Sequence, residues 1–154
     1  MGRFDTPYFG LVGVVLVAAG AVSVLLGLTG GSLEYWPLAI AGPFSIWRGA
    51  VVLAAGAFYL TAVNGRITNR EDEALVFMGS LMIWIVGGME VLSILLGAIP
   101  GGPEVWIAGP TEFLAAIAPP YSPSVLAIPL SLPAFRYAEE DVVTVLKRLF
   151  SGEN

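Results

Sequence analysis

Two charged side chains lie inside stretches that are otherwise apolar: Arg48 in the run 44–63 and Glu90 in the run 74–99. An ionised group in lipid costs about 2.5–3.5 kcal/mol on insertion scales, so such residues face a bundle interior or a water-filled cavity and find a partner there. At 1.5 Å of rise per residue, Arg48 lies about 7–8 Å beyond Pro43, and Glu90 lies about 10 Å below Gly97 at the same surface. Their depths agree. Three roles follow from the chemistry: an ion pair that locks the bundle, a site for a substrate, proton or ion, or an Arg48 that snorkels to the surface.

The run 110–135 is the second place where chemistry could concentrate. Pro119, Pro120, Pro123, Pro129 and Pro133 cannot share one straight helix, because each lacks an N–H and clashes with the preceding turn. The spacing predicts a helix over 111–118, a break over 119–123 that contains Pro119, Pro120, Tyr121 and Pro123, and a half-helix from 124. Backbone freed at membrane depth must be buried in protein or line a cavity. Its carbonyls could coordinate a cation, as in discontinuous transporter helices, or the break could fit a docking partner or a lipid.

Glu34, Glu104 and Glu112 form an acidic rim in stretches without a basic residue. Scattered carboxylates without a ligand spacing read as a solvated rim, and no metal site is expected from them. Trp36 and Trp106 read as interfacial anchors, with ligand stacking as the other use of such rings. The chain has no Cys and no His, which removes disulfides, thiol nucleophiles, imidazole bases and the usual zinc, iron–sulfur and haem ligands. No nucleophile–base pair or phosphate loop appears either, so no cofactor and no enzymatic activity are expected.

The elements that must position these residues are membrane helices. In 154 residues, 56% are hydrophobic and 12% charged, with a mean hydropathy of +0.82, whereas soluble domains carry about 25% charged residues. The net charge of −5 argues against a nucleic-acid partner. Apolar runs at 9–28, 44–63, 74–99 and 110–135 are each long enough to cross a hydrocarbon core about 30 Å thick. The first is too long for a signal-peptide core and lacks a small-residue cleavage site after it. Gly13, Gly20 and Gly27 recur at seven-residue spacing and mark a seam for close helix packing, as do Ser80 and Gly87.

The chain also repeats itself. Ser23 to Trp36 and Ser93 to Trp106 align without a gap and share Ser, Leu, Leu, Gly, Gly, Glu and Trp, and Ile-Ala-Gly-Pro follows each copy, at 40–43 and 107–110. This is an internal duplication, with repeat 1 over about 9–63 and repeat 2 over about 74–135. In arrangement the chain resembles small membrane proteins built from two-span repeats, such as those carrying a Ser-Pro-Trp repeat. That tripeptide is absent, so the resemblance covers layout and carries over no functional residue.

Arg3, Arg66, Arg70, Arg136, Lys147 and Arg148 fall near the N-terminus, in the middle loop and in the C-terminal tail. The positive-inside rule therefore places both termini in the cytoplasm. A short amphipathic helix is expected over 138–150, with acidic residues in its first turn and basic ones in its last. The expectation is a single all-α domain integral to the cell membrane, with four transmembrane helices as two tandem two-span repeats and the fourth span broken by prolines. The function expected is that of a structural or accessory subunit, packed with other membrane subunits or with itself. The competing expectation is a small oligomeric transporter or channel that uses Arg48, Glu90 and the broken span.

Overall fold

The computed structural model describes residues 4–42, 44–99 and 107–137. The connector that holds Glu104 and Trp106, and the amphipathic helix expected over 138–150, lie outside the described residues. Among the described residues, three helices are long and apolar enough to cross a membrane: α1 (Asp5–Thr29), α2 (Ser45–Asn64) and α3 (Arg70–Ala98). The described residues otherwise form two short helices, α4 (Pro110–Ala116) and α5 (Pro123–Ser131), a 3₁₀ turn at Leu132–Ala134, and a hairpin of β1 (Leu33–Tyr35) and β2 (Leu38–Ile40).

That hairpin departs from an all-helical reading. Leu33 pairs with Ile40 and Tyr35 with Leu38 in antiparallel register around the Trp36–Pro37 turn. A three-residue strand on each side of a proline turn is too short to announce itself by periodicity. Gly30, in the left-handed region at φ +67°, ends α1 and sends the chain into it, while the Gly31 N–H donates to Leu26 O at 2.9 Å.

α1 and α2 form an antiparallel pair whose backbones nearly touch. A Cβ on Gly20 would lie 2.5 Å from Leu53 N and 2.8 Å from Gly49 O. The reverse holds too: one on Gly49 would lie 2.9 Å from Gly20 O, and one on Gly56 would lie 2.8 Å from Val17 N. Glycines at seven-residue spacing on α1 thus meet glycines at the same spacing on α2, and the absent side chains let dispersion and weak polar contacts form between backbones. Leu11, Val14, Val15, Val22, Leu25 and Leu28 stay exposed on the other side of α1, where hydrocarbon is the natural solvent.

α3 also packs on α2, and Tyr59 of α2 touches both neighbours. Gly79 faces Ala55 O and the Tyr59 ring, and the fully buried Tyr59 hydroxyl meets Ser80 Oγ at 2.6 Å while Ser80 Oγ donates to Val76 O. Every polar atom of that pair is satisfied inside the core, as low dielectric demands. α3 begins at Arg70, ahead of its apolar run, because Asn69 caps it: Oδ1 accepts from Asp72 N at 2.8 Å, with Glu71, Asp72 and Glu73 in the first turn.

α5 lies against α3. Trp84 Nε1 donates to Ser131 Oγ at 2.7 Å, and the Trp84 ring stacks on Phe135 with centroids 4.1 Å apart. At the end of the molecule away from the hairpin, Tyr8 Oη donates to Leu130 O at 2.8 Å and Arg136 lies 3.7 Å from Asp5. Burial, and then the charges of Asp5 and Glu73, push the neighbouring Tyr137 hydroxyl up to about 12, so it stays neutral at physiological pH. α4 has no buried residue.

The glycines separate into two classes that substitution distinguishes. Gly20→Ala and Gly49→Ala should each destabilise by about 1–3 kcal/mol through overpacking. Gly88→Ala, where nothing lies within 4 Å of the added carbon, should stabilise α3 by about 0.5–1 kcal/mol. Thermal unfolding in one detergent reads both signs.

Candidate functional site

The site is assembled around the Glu90 carboxylate. On α3, Gly87 precedes Glu90 by less than one turn, and a Cβ there would lie 2.7 Å from Ser124 O. That bare backbone lets the start of α5 approach the carboxylate. Ser122 is the α5 N-cap: its Oγ accepts from Val125 N, and Pro123 occupies the first helical position. The same hydroxyl donates to Glu90 Oε2, and Ser124 Oγ lies 2.7 Å from that oxygen and 2.8 Å from Ser122 Oγ.

Arg48 comes from the first turn of α2. Its Nη1 donates to Glu90 Oε1, and its Nη2 donates to Ala41 O at 2.9 Å. The two side chains are 27% and 17% exposed, so the pair is sheltered but open on one side. Charge-assisted hydrogen bonds of this kind are roughly twice as strong as neutral ones. Both carboxylate oxygens are engaged, one by a cation from α2 and one by hydroxyls from α5.

Backbone at 117–122, between α4 and α5, is held by the hairpin. Ala39 N donates to Tyr121 O and Tyr121 N to Pro37 O, both at 2.8 Å, and Tyr121 Oη donates to Ile117 O at 2.6 Å. Peptide groups that prolines exclude from a helix thereby find partners in the hairpin, at Pro37 in its turn and Ala39 in β2. Pro119 and Pro120 are exposed, Tyr121 is half-buried, and Pro123 opens α5.

Two spaces adjoin the cluster. A chamber of about 10 Å³ is lined by Ser23, Ser45, Arg48, Ser122 and Ser124, among others, which is the size a single water needs. Ser45, 2% exposed, has its Oγ in that lining with no hydrogen-bond partner among the described residues. On the other side, a groove of about 480 Å³ runs between α2 and α3, lined by Phe44, Trp47, Ile85, Val86 and Met89, with Arg48 and Glu90 in its wall.

The remaining candidates serve other elements. Glu34 is exposed on β1, and Trp36 is exposed at the hairpin turn. Glu112 Oε2 accepts from Gly109 N at 3.1 Å and so caps α4. No group of three or more Asp or Glu that could hold a metal ion forms among the described residues. Sequence reasoning missed Ser122, Ser124, Ser45 and the Ala41 carbonyl. The signal for the first was present in Ser122-Pro123, a helix-start signature directly after the break.

Against known proteins, the chain matches no family model, no curated protein and no solved structure.

The cluster sets an order of energetic importance. Glu90→Ala leaves Arg48 sheltered without its counter-charge and should destabilise by about 3 kcal/mol. Ser122→Ala removes one of the donors to Oε2 and the α5 cap, and should cost about 1–2 kcal/mol. Denaturant unfolding in micelles, with limited proteolysis at 117–122 as a local readout, measures both.

Proposed function

We propose that this chain is a structural or accessory subunit of the membrane, packed within a larger complex or a homo-oligomer. One observation carries this reading: both oxygens of Glu90 are taken up by Arg48 and the two serines. The intramembrane charges are then spent on holding α2, α3 and α5 together. A carboxylate engaged on both sides is poorly placed to exchange a proton or a passing ion.

In this reading the chain is a single domain with four crossings, α4 and α5 together making the fourth, broken at the prolines. The duplicated sequence supports two tandem two-span repeats in parallel orientation, with the hairpin end outside and both termini cytoplasmic. Partners are the bilayer and other membrane subunits or further copies of the chain; the net charge of −5 disfavours nucleic acid.

A second reading, a small oligomeric transporter or channel, draws on one specific observation: Arg48 and Glu90 reach the wall of an open groove beside the non-helical segment 117–122.

Two experiments test these readings. Extraction from native membranes in mild detergent should recover a stable complex, with a companion protein or with further copies of the chain; a stable monomer from native membranes would overturn the subunit reading. Solute flux into liposomes that contain the pure protein, abolished by Glu90→Gln, would establish the transporter instead. Orientation is accessible because the chain has no Cys: on intact cells an impermeant thiol reagent should label Ser32→Cys and spare Asn64→Cys.

A further inference from the structure

The groove between α2 and α3 points to a specific occupant. Its rim residues Phe44, Trp47, Ile85 and Met89 are all more than half exposed, and its volume of about 480 Å³ lies within the range of about 300–1,000 Å³ typical of small-molecule sites. An apolar slot of this kind takes a hydrocarbon chain. The wall is not wholly apolar, however, because Arg48 forms part of it.

Arg48 carries five N–H donors in a fixed fork. Glu90 takes one and the Ala41 carbonyl another, which leaves donor capacity without a partner among the described residues. In a low-dielectric setting those donors need acceptor oxygens. Glu90 offers little further acceptance, since its second oxygen already receives Ser122 and Ser124. Water in the small chamber can serve the edge of Arg48 that faces it, and the edge in the groove wall is left for oxygens that an occupant brings.

Position narrows the choice. Arg48 lies in the first turn of α2, near the end of the molecule that carries the hairpin, so its long side chain can reach toward the bilayer surface, where phosphate and ester oxygens lie. A helix from a partner protein would arrive with backbone carbonyls already bonded within itself. A phospholipid brings unpaired phosphate and ester oxygens and an acyl chain in one molecule. Arg also recognises phosphate through two parallel hydrogen bonds, which Lys cannot reproduce.

We infer that the α2–α3 groove is a phospholipid-binding site, in which one acyl chain lies along Trp47, Ile85 and Met89 and the phosphate or ester oxygens accept from the free N–H groups of Arg48. This site is independent of whether the chain is an accessory subunit or a transporter. Glu90 fixes the guanidinium and leaves its outward edge to the lipid.

The test uses the full-length protein in detergent, titrated with dioleoylphosphatidylglycerol and read by native mass spectrometry. Wild type should retain one lipid in preference to further copies. Val86→Trp, which fills the groove wall one turn from Glu90, should lose that lipid, and an unchanged unfolding temperature shows that the ion pair is intact. Arg48→Lys should show several-fold weaker retention. Equal retention by wild type and a folded Val86→Trp would overturn the proposal, since the lipid would then be general annulus. Displacement of the lipid by millimolar inorganic phosphate would overturn it in favour of a free-anion site, and a polypeptide found in place of the lipid would overturn it in favour of a protein-docking groove.

Discussion

A carboxylate sheltered in an apolar bundle is costly unless it is paired and hydrogen-bonded, and the arrangement of this molecule follows from how Glu90 meets that demand. Its two oxygens draw on α2 through Arg48 and on the start of α5 through Ser122 and Ser124. Arg48 in turn reaches back to the Ala41 carbonyl, just after the hairpin, and the hairpin bonds to Tyr121 just before α5. The polar groups thus close a ring through α2, α3, the hairpin and α5. Loss of one member leaves the others sheltered and unpaired, which is why such a network acts as a unit.

This ring depends on backbone proximity that only glycine permits. Gly87 lets Ser124 come within reach of α3, and Gly20, Gly49 and Gly56 bring α1 against α2. In hydrocarbon there is no hydrophobic drive between helices, so association rests on close packing and on polar bonds. The α1–α2 pair uses the first device. Between α2 and α3, and between α3 and α5, the second is prominent: Tyr59 with Ser80, Trp84 with Ser131, and the Glu90 cluster. The helices are joined in two chemically different ways.

Much of this was legible in the residues alone. Three of the four apolar runs are long helices, the glycine spacing marks the α1–α2 contact, and Arg48 and Glu90 meet, as 1.5 Å per residue and the cost of charge in lipid lead one to expect. What the residues hid was anything that depends on where the chain goes after a break. Proline tells where a helix cannot continue, but Tyr121 pairing with β2 requires knowing that two segments about 80 positions apart adjoin. Ser122 and Ser124 were overlooked for the same reason: a serine is an ordinary cap until a carboxylate from another helix is placed beside it. The hairpin escaped notice because a strand of three residues carries no usable period.

The separation of Arg48 and Glu90 along the chain bears on biogenesis. They are 42 positions apart, and the serines lie 32 and 34 positions beyond Glu90. At about 5–20 residues per second, roughly 2–8 s of translation separate the emergence of the cation from that of its counter-ion. During that interval the nascent hairpin of α1 and α2 must hold an arginine in or near the bilayer with no carboxylate to meet it. Gly20, Gly49 and Gly56 give the hairpin a packing surface that needs neither α3 nor α5. The glycine seam can therefore form first, and the charged ring can close on a scaffold that is already assembled.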